Sequence, residues 1–234
     1  MGKVKIGVPM RYYRAGEKQA MMGCITESTR RALQAEGAEV VSILPVQDVA
    51  LGECSYTEIP KLTEVEKQEI IKQIQECDGV FLPGGQRFMP YDHLIVDYVI
   101  EQNIPVLGVC MGMQLLNSFH KTTVDVKRND DSHAQKQEKG VCHEIKIDRN
   151  SRLFEILGKE KTEVNSFHHY QIVENPEFRA VAKSPDGVIE AIERGEGGFC
   201  LGVQWHPERD YGENADSQKI MRAFIDAVKK YQRD

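Results

Sequence analysis

No stretch of this 234-residue chain approaches the ~20 consecutive apolar residues that a membrane-spanning helix needs. Met1 to Lys5 leads directly into a strand-like segment and not into a signal peptide. Both absences point to a soluble, cytoplasmic protein. Basic excess is also lacking: 30 Lys and Arg stand against 36 Asp and Glu, a formal charge of −6. With no basic stripe to neutralise phosphates, the charge argues against nucleic acid as a partner and favours a small-molecule ligand. The six cysteines (Cys24, Cys54, Cys77, Cys110, Cys142, Cys200) form no C-x-x-C pair and no alternating Cys/His ligand spacing. Reduced thiols and no structural zinc are therefore expected. Cys142 and His143 make a poor metal pair, because neighbours on a strand point to opposite faces. Internal repeats and low-complexity tracts are missing too. What is present is an apolar content of 41%, enough for a substantial core and for one domain over residues 1–234.

The apolar segments alternate with helical patterns. "VKIGVP" (Val4 to Pro9) and "AEVVSILP" (Ala38 to Pro45) read as strands, with helical character from Glu17 to Glu36 between them that stops at Gly37. Thr63 and Glu66 have capping-box spacing ahead of a helix carrying Ile70, Ile71 and Ile74. "GVFLPGG" (Gly79 to Gly85) predicts a strand ending in a glycine turn, and Tyr91 to Gln102 a helix before the strand Ile104 to Val109. Continuous apolar strands alternating with helices predict an α/β fold: a central, mostly parallel sheet with helices on both faces, a flavodoxin-like three-layer sandwich. Ligands bind such sheets at the carboxyl ends of the strands. In the C-terminal half, "VCHEIKI", "RAVAKS", "VIEAIE" and "FCLGVQW" are short segments between turn residues and predict a smaller antiparallel portion. A last helix, Gln218 to Tyr231, carries an apolar stripe, and the polar run Lys127 to Gly140 reads as an exposed loop.

One cysteine stands apart. A cysteine in a strand is ordinarily a small buried hydrophobe, but Cys110 sits in "GVCMGMQ" between Gly108 and Gly112. G-x-C-x-G is the thiol version of the nucleophile elbow, in which a strand turns sharply into a helix and holds the nucleophile out. The helix start beneath Cys110 favours a thiolate and leaves N–H groups for a developing oxyanion. Met111 would supply one such N–H and Gly85, on the same rim, the other. "GVQWHPE" supplies a base, His206, with Glu208 two residues on to orient it. Pro207 disfavours helix at His206, so an extended chain with both side chains on one side is expected.

"PGG", "GVCMGMQ", "VNSFHH", "DGVIEAIE" and "GVQWHPE", in this order, resemble the class I glutamine amidotransferase-like enzymes, and most of all their free-standing gamma-glutamyl hydrolase branch. The resemblance implies a Cys110, His206, Glu208 triad that cleaves a gamma-glutamyl amide through a thioester and releases glutamate. It implies that Gln114, with backbone near Ser166 and Phe167, holds the glutamyl part. The expected partners are then a small gamma-glutamyl substrate and at most a second copy of the chain as a homodimer, with no nucleic acid, membrane, cofactor or metal. The chain departs from that branch at Arg87, at Met111, at Phe119-His120-Lys121 and at Tyr170, positions expected to border the pocket and to bear on the leaving amine. Two rival readings share the motifs: a glutaminase subunit that passes ammonia to a separate synthetase, and a silent binding module.

Overall fold

Each short run of buried apolar residues becomes a strand and each amphipathic segment a helix, in a computed structural model that describes residues 2–15, 20–47, 59–121, 123–129, 131–134 and 143–231. In chain order the strands are β1 (Lys5–Pro9), β2 (Arg11–Ala15), β3 (Ala20–Cys24), β4 (Glu39–Ile43), β5 (Gly79–Leu82), β6 (Val106–Val109), β7 (Val126–Arg128), β8 (His143–Ile147), β9 (Lys161–Val164), β10 (Tyr170–Ile172), β11 (Arg179–Lys183), β12 (Ile189–Glu193) and β13 (Cys200–Val203). The helices are α1 (Glu27–Ala35), α2 (Glu64–Gln75), α3 (Pro90–Glu101), α4 (Met111–Leu116), α5 (Arg152–Leu157), α6 (Pro207–Asp210) and α7 (Ala215–Lys230).

Nine strands form one sheet in the order β4-β1-β5-β6-β13-β12-β11-β8-β9. From β4 to β13 neighbouring strands are parallel, and from β13 to β9 they are antiparallel. The parallel strands β5, β6 and β13 are buried at every residue, as expected when helices cover both faces. One face packs Leu33 of α1, Leu153 and Leu157 of α5, and Ile220, Phe224 and Val228 of α7. The other packs Ile70 and Ile74 of α2, Ile95 and Val99 of α3, and Leu115 and Leu116 of α4. The three-layer α/β expectation and the antiparallel C-terminal portion both hold. "FCLGVQW" does more than predicted, because β13 pairs with β6 on one side and β12 on the other and joins the two halves.

Two local expectations need correction. Helix was predicted from Glu17, but α1 starts only at Glu27, where the Thr26 side chain accepts from the Thr29 N–H. Residues 17–19 lie outside the described residues, and Ala20–Cys24 instead form β3, which pairs antiparallel with β2, with Tyr12 opposite Gly23 and Tyr13 opposite Met22. The polar run Lys127 to Gly140 is not simply a solvated loop in its described part. Lys127 and Arg128 belong to β7, which pairs with β10, while Asn129 and His133 are buried. Asp130 and residues 135–140 lie outside the described residues. The Thr63 capping box forms as predicted: Thr63 N donates to Glu66 Oε2 at 2.7 Å and Glu66 N to Thr63 Oγ1 at 3.3 Å. Among the described residues no helix is long and apolar enough to cross a membrane.

Candidate active site

Three neighbouring strands deliver the groups that matter. Past the carboxyl end of β5 the chain runs through Pro83, Gly84 and Gly85, past β6 it reaches Cys110, and past β13 it reaches His206. These ends share one rim of the parallel half, the place where open α/β sheets bind ligands.

The elbow at Cys110 is sharp. Its backbone lies at φ 52 and ψ −109, a positive-φ conformation that costs a residue with a Cβ of order 1–3 kcal/mol and that the surrounding structure must impose. The constraint comes from both flanks, since the Cys110 N–H donates to the Val203 carbonyl at 2.8 Å and α4 begins at the next residue. The glycines on either side allow the helix to approach the strand. A Cβ on Gly108 would sit 2.6 Å from the Gly112 carbonyl oxygen, and one on Gly112 would run into the Leu82 carbonyl. Gly84 lies flush against the reacting groups, because a Cβ there would stand 2.7 Å from His206 Cε1 and 3.5 Å from Cys110 Cβ.

His206 Nδ1 donates to Glu208 Oε1 at 2.6 Å, with both side chains buried. The expected extended path through Pro207 is not what joins them. His206 is non-helical, but Pro207 opens α6, and the first turn of that helix carries Glu208 back to the imidazole. Asn165, in the "VNS" segment, clamps the His206 backbone from both sides. His206 N–H donates to Asn165 Oδ1 and Asn165 Nδ2 to the His206 carbonyl, each at 2.9 Å. Burial opposes a charge on the imidazole, yet the Glu208 carboxylate and the Cys110 side chain facing it outweigh burial and hold its pKa up to about 9. Cys110 lies within hydrogen-bonding reach of that ring.

A cavity of about 590 Å³ opens over these groups, lined by Cys110, His206, Glu208, Gly84, Gly85 and Phe167, with further walls from Tyr13 and the start of α1. The Phe167 ring stands edge-on to His206 at 5.7 Å, and the Arg209 guanidinium covers it 4.3 Å from its centroid. Most of the sequence-derived site residues thus meet: the triad, Gly85 and Phe167 border one space, and Met111 follows Cys110 directly. Gln114 and Ser166 stand behind the wall. Gln114 Nε2 donates to the Tyr170 carbonyl at 3.1 Å, and Ser166 Oγ donates to the His133 carbonyl at 2.6 Å. Two of the departures from the hydrolase branch sit elsewhere than expected, whereas Met111 packs against the cavity-lining Gly85. Phe119 is buried under the Arg194 guanidinium, Tyr170 is exposed on β10, and neither borders the cavity. Tyr13 and the Thr26–Thr29 segment, which do border it, escaped the sequence reading because they belong to the ribbon and the late helix start.

A second group of titratable side chains was not anticipated at all. His133, His143, His168 and Glu190 converge behind Phe167, each offering one ligand atom, and those atoms all lie within 4.8 Å of one another.

Residues 91–208 match the peptidase C26 family. The gamma-glutamyl-gamma-aminobutyrate hydrolase PuuD of Escherichia coli (strain K12) is 31% identical over 189 residues, covering 68% of this chain and 74% of its own. The protein NtpR of Enterococcus hirae is 29% identical over 203 residues, 82% of this chain and 84% of that protein. Among solved structures, the glutaminase domain of Trypanosoma brucei CTPS with bound acivicin superposes with a TM-score of 0.68 at 18% identity, covering 99% of this chain and 97% of that one. With the elbow, the H-P-E segment and a match over half its length, the chain belongs to the peptidase C26 family, whose members are class I glutamine amidotransferase-like.

Proposed function

We propose that the protein is a cysteine-dependent hydrolase of small gamma-glutamyl amides. The observation that carries this reading is the meeting of Cys110, on a strained elbow, with a His206 already hydrogen-bonded to Glu208, at the mouth of one cavity. Similarity to a gamma-glutamyl-gamma-aminobutyrate hydrolase supports the substrate class. In the proposed reaction Cys110 Sγ attacks the gamma-carbonyl carbon, and the oxyanion that forms accepts from the N–H groups of Met111 and Gly85. The His206 imidazolium protonates the amine nitrogen, the C–N bond breaks, and a glutamyl thioester remains on Cys110. His206, now neutral, takes a proton from water as that water attacks the thioester; the C–S bond breaks, glutamate leaves, and the Cys110 thiolate again faces a His206 imidazolium. Glu208 holds the ring by its Nδ1–H throughout. Phe167 forms one wall for the glutamyl part, while Gln114 and Ser166 stiffen that wall from behind. Selection of the leaving amine falls to Tyr13 and the Thr26–Thr29 segment, which border the cavity and lie outside the family-matched residues.

The test is an assay of the purified chain alone on a panel of gamma-glutamyl amides. Cleavage of at least one amide with kcat/KM of about 10⁴ M⁻¹s⁻¹ or more, in preference to glutamine, is expected. Turnover of glutamine that appears only when a second protein is added would overturn the reading in favour of an ammonia-delivering subunit.

The electrostatics of His206 add a pH prediction. Its pKa, raised to about 9, keeps the imidazolium available to protonate the amine at neutral pH, and this form is lost as pH climbs through that value. The alkaline limb of kcat/KM should therefore lie near pH 9. Glu208→Gln removes a carboxylate that raises the pKa and should move the limb to lower pH while leaving measurable activity, whereas His206→Ala should cost far more. A pH–rate profile with an unmoved alkaline limb in Glu208→Gln would show that the carboxylate does not hold the proton on the ring.

A further inference from the structure

We propose that His133, His143, His168 and Glu190 form a closed site for one divalent transition-metal ion of the zinc type, set behind the wall of the catalytic cavity. The residues come from four places in the chain: the turn after β7, β8, the segment between β9 and β10, and β12. Glu190 Oε1 is the hub. It stands 3.3 Å from His133 Nδ1, 3.4 Å from His143 Nε2 and 3.6 Å from His168 Nε2. Ligands bound to zinc at 2.0–2.1 Å in a tetrahedron are spaced about 3.4 Å apart, which the three separations from Glu190 match, and the remaining pairs all lie within 4.8 Å.

Two features set the cluster apart from an ordinary buried ion-pair network. None of the four inward-facing atoms has a hydrogen-bond partner, and Glu190, with no exposed surface, has none for either carboxylate oxygen. Unmade hydrogen bonds at buried polar atoms are expensive, and a carboxylate is among the costliest groups to leave so. Meanwhile the other nitrogen of every histidine is held from outside. His133 Nε2 donates to Asp186 Oδ2 at 2.9 Å, His143 Nδ1 to the Glu144 carbonyl at 3.3 Å and His168 Nδ1 to the Tyr170 carbonyl at 3.1 Å. In the tautomer that keeps the proton on the outer nitrogen, each ring turns its inner nitrogen toward Glu190, where it would meet the ion. That is the outer-shell pattern that orients histidine ligands on a metal. Three imidazoles and one carboxylate suit zinc and its neighbours in the first transition row, and not magnesium or calcium, which require oxygen donors. Four protein ligands describe a structural site with no open position for substrate.

The location gives the ion a task. The His168 N–H and Ser166 Oγ both donate to the His133 carbonyl, so the turn at His133 is laced to the Ser166–His168 segment. Phe167 in that segment faces His206, and Asn165 just before it clamps the His206 backbone. An ion bound to His133 and His168 would fasten this segment to β12 through Glu190 and so hold the cavity wall in place.

The experiment uses the full chain, purified without a histidine tag or chelator. Elemental analysis should find about one zinc per chain. Chelator treatment should lower the melting temperature, and added zinc should restore it. Cobalt(II) added to the metal-stripped chain should give the intense visible absorption of a tetrahedral centre. Asp186→Asn, a half-exposed change outside the ligand set, should weaken zinc binding by roughly 10–100-fold, and the partly exposed ligand change His143→Ala should abolish the cobalt spectrum. If the stripped chain melts unchanged and takes up neither zinc nor cobalt, the cluster is a metal-free network in which a protonated histidine balances Glu190, and the proposal fails. It fails equally if binding persists undiminished in both variants, since the ion then sits elsewhere.

Discussion

Cys110→Ala should lower kcat by a factor on the order of 10⁴ or more, because no other group in the cavity can form the thioester and loss of a nucleophile is among the largest single-residue effects known for hydrolases. Substrate binding should survive, since the change removes one sulfur from a wall otherwise intact. Two of the other described cysteines are poor substitutes. Cys200 is buried in β13, where desolvation pushes its thiol pKa up to about 12, and Cys77 is buried beneath β1. Mass spectrometry after a brief pulse of a thiol-directed electrophile should therefore find label at Cys110 first, with activity falling in step. Label arriving first at Cys24 or Cys200 with activity intact, or a Cys110→Ala chain within about tenfold of the unaltered one, would refute the assignment.

Gly112→Ala should be the most damaging methyl group that can be added near the site. Its Cβ would overlap the Leu82 backbone carbonyl, and backbone, unlike a flexible side chain, cannot swing aside. Either β5 and α4 move apart or the elbow opens. Overpacking of this kind costs about 3 kcal/mol or more. For a chain of this size that corresponds to a melting temperature lower by roughly 6–12 °C. Gly195→Ala, where an added Cβ meets nothing within 4 Å, is the control and should change stability by no more than about 0.5 kcal/mol. Equal melting temperatures for the two variants would show that the elbow is looser than its geometry implies.

The parts of the molecule legible in the sequence are those whose causes are local. G-x-C-x-G announces the elbow because both glycines act within four residues of the nucleophile, and the Thr63 capping box is complete within four residues as well. Continuous apolar runs reveal β1, β5, β6 and β13 because burial on both faces leaves no room for polar residues. What stayed hidden depends on contacts between distant segments. Met21, Met22 and Gly23 carry no strand signature of their own and form β3 because β2 lies alongside. Glu190 hides in an apolar-looking strand, and its meeting with His133, His143 and His168 depends on how β8, β12 and two connecting segments converge. Adjacency of Cys142 and His143 spoke against a metal, yet the partners of His143 lie on other elements altogether.

The position of β13 sets a timetable for the making of the protein. Its residues Cys200 to Val203 pair with Val106 to Val109 on one side and with β12 on the other, so it is the last strand synthesised yet sits near the middle of the sheet. A ribosome adding about 5–20 residues per second delivers Cys110 roughly 5–20 s before His206. Until then β6 and β12 each present an open, apolar edge of the kind that invites pairing with other chains. One insertion closes both edges and brings the base to the nucleophile. A nascent or truncated chain that stops short of Cys200 therefore loses solubility and chemistry together, and the thiol gains its general base only when the sheet that holds it is whole.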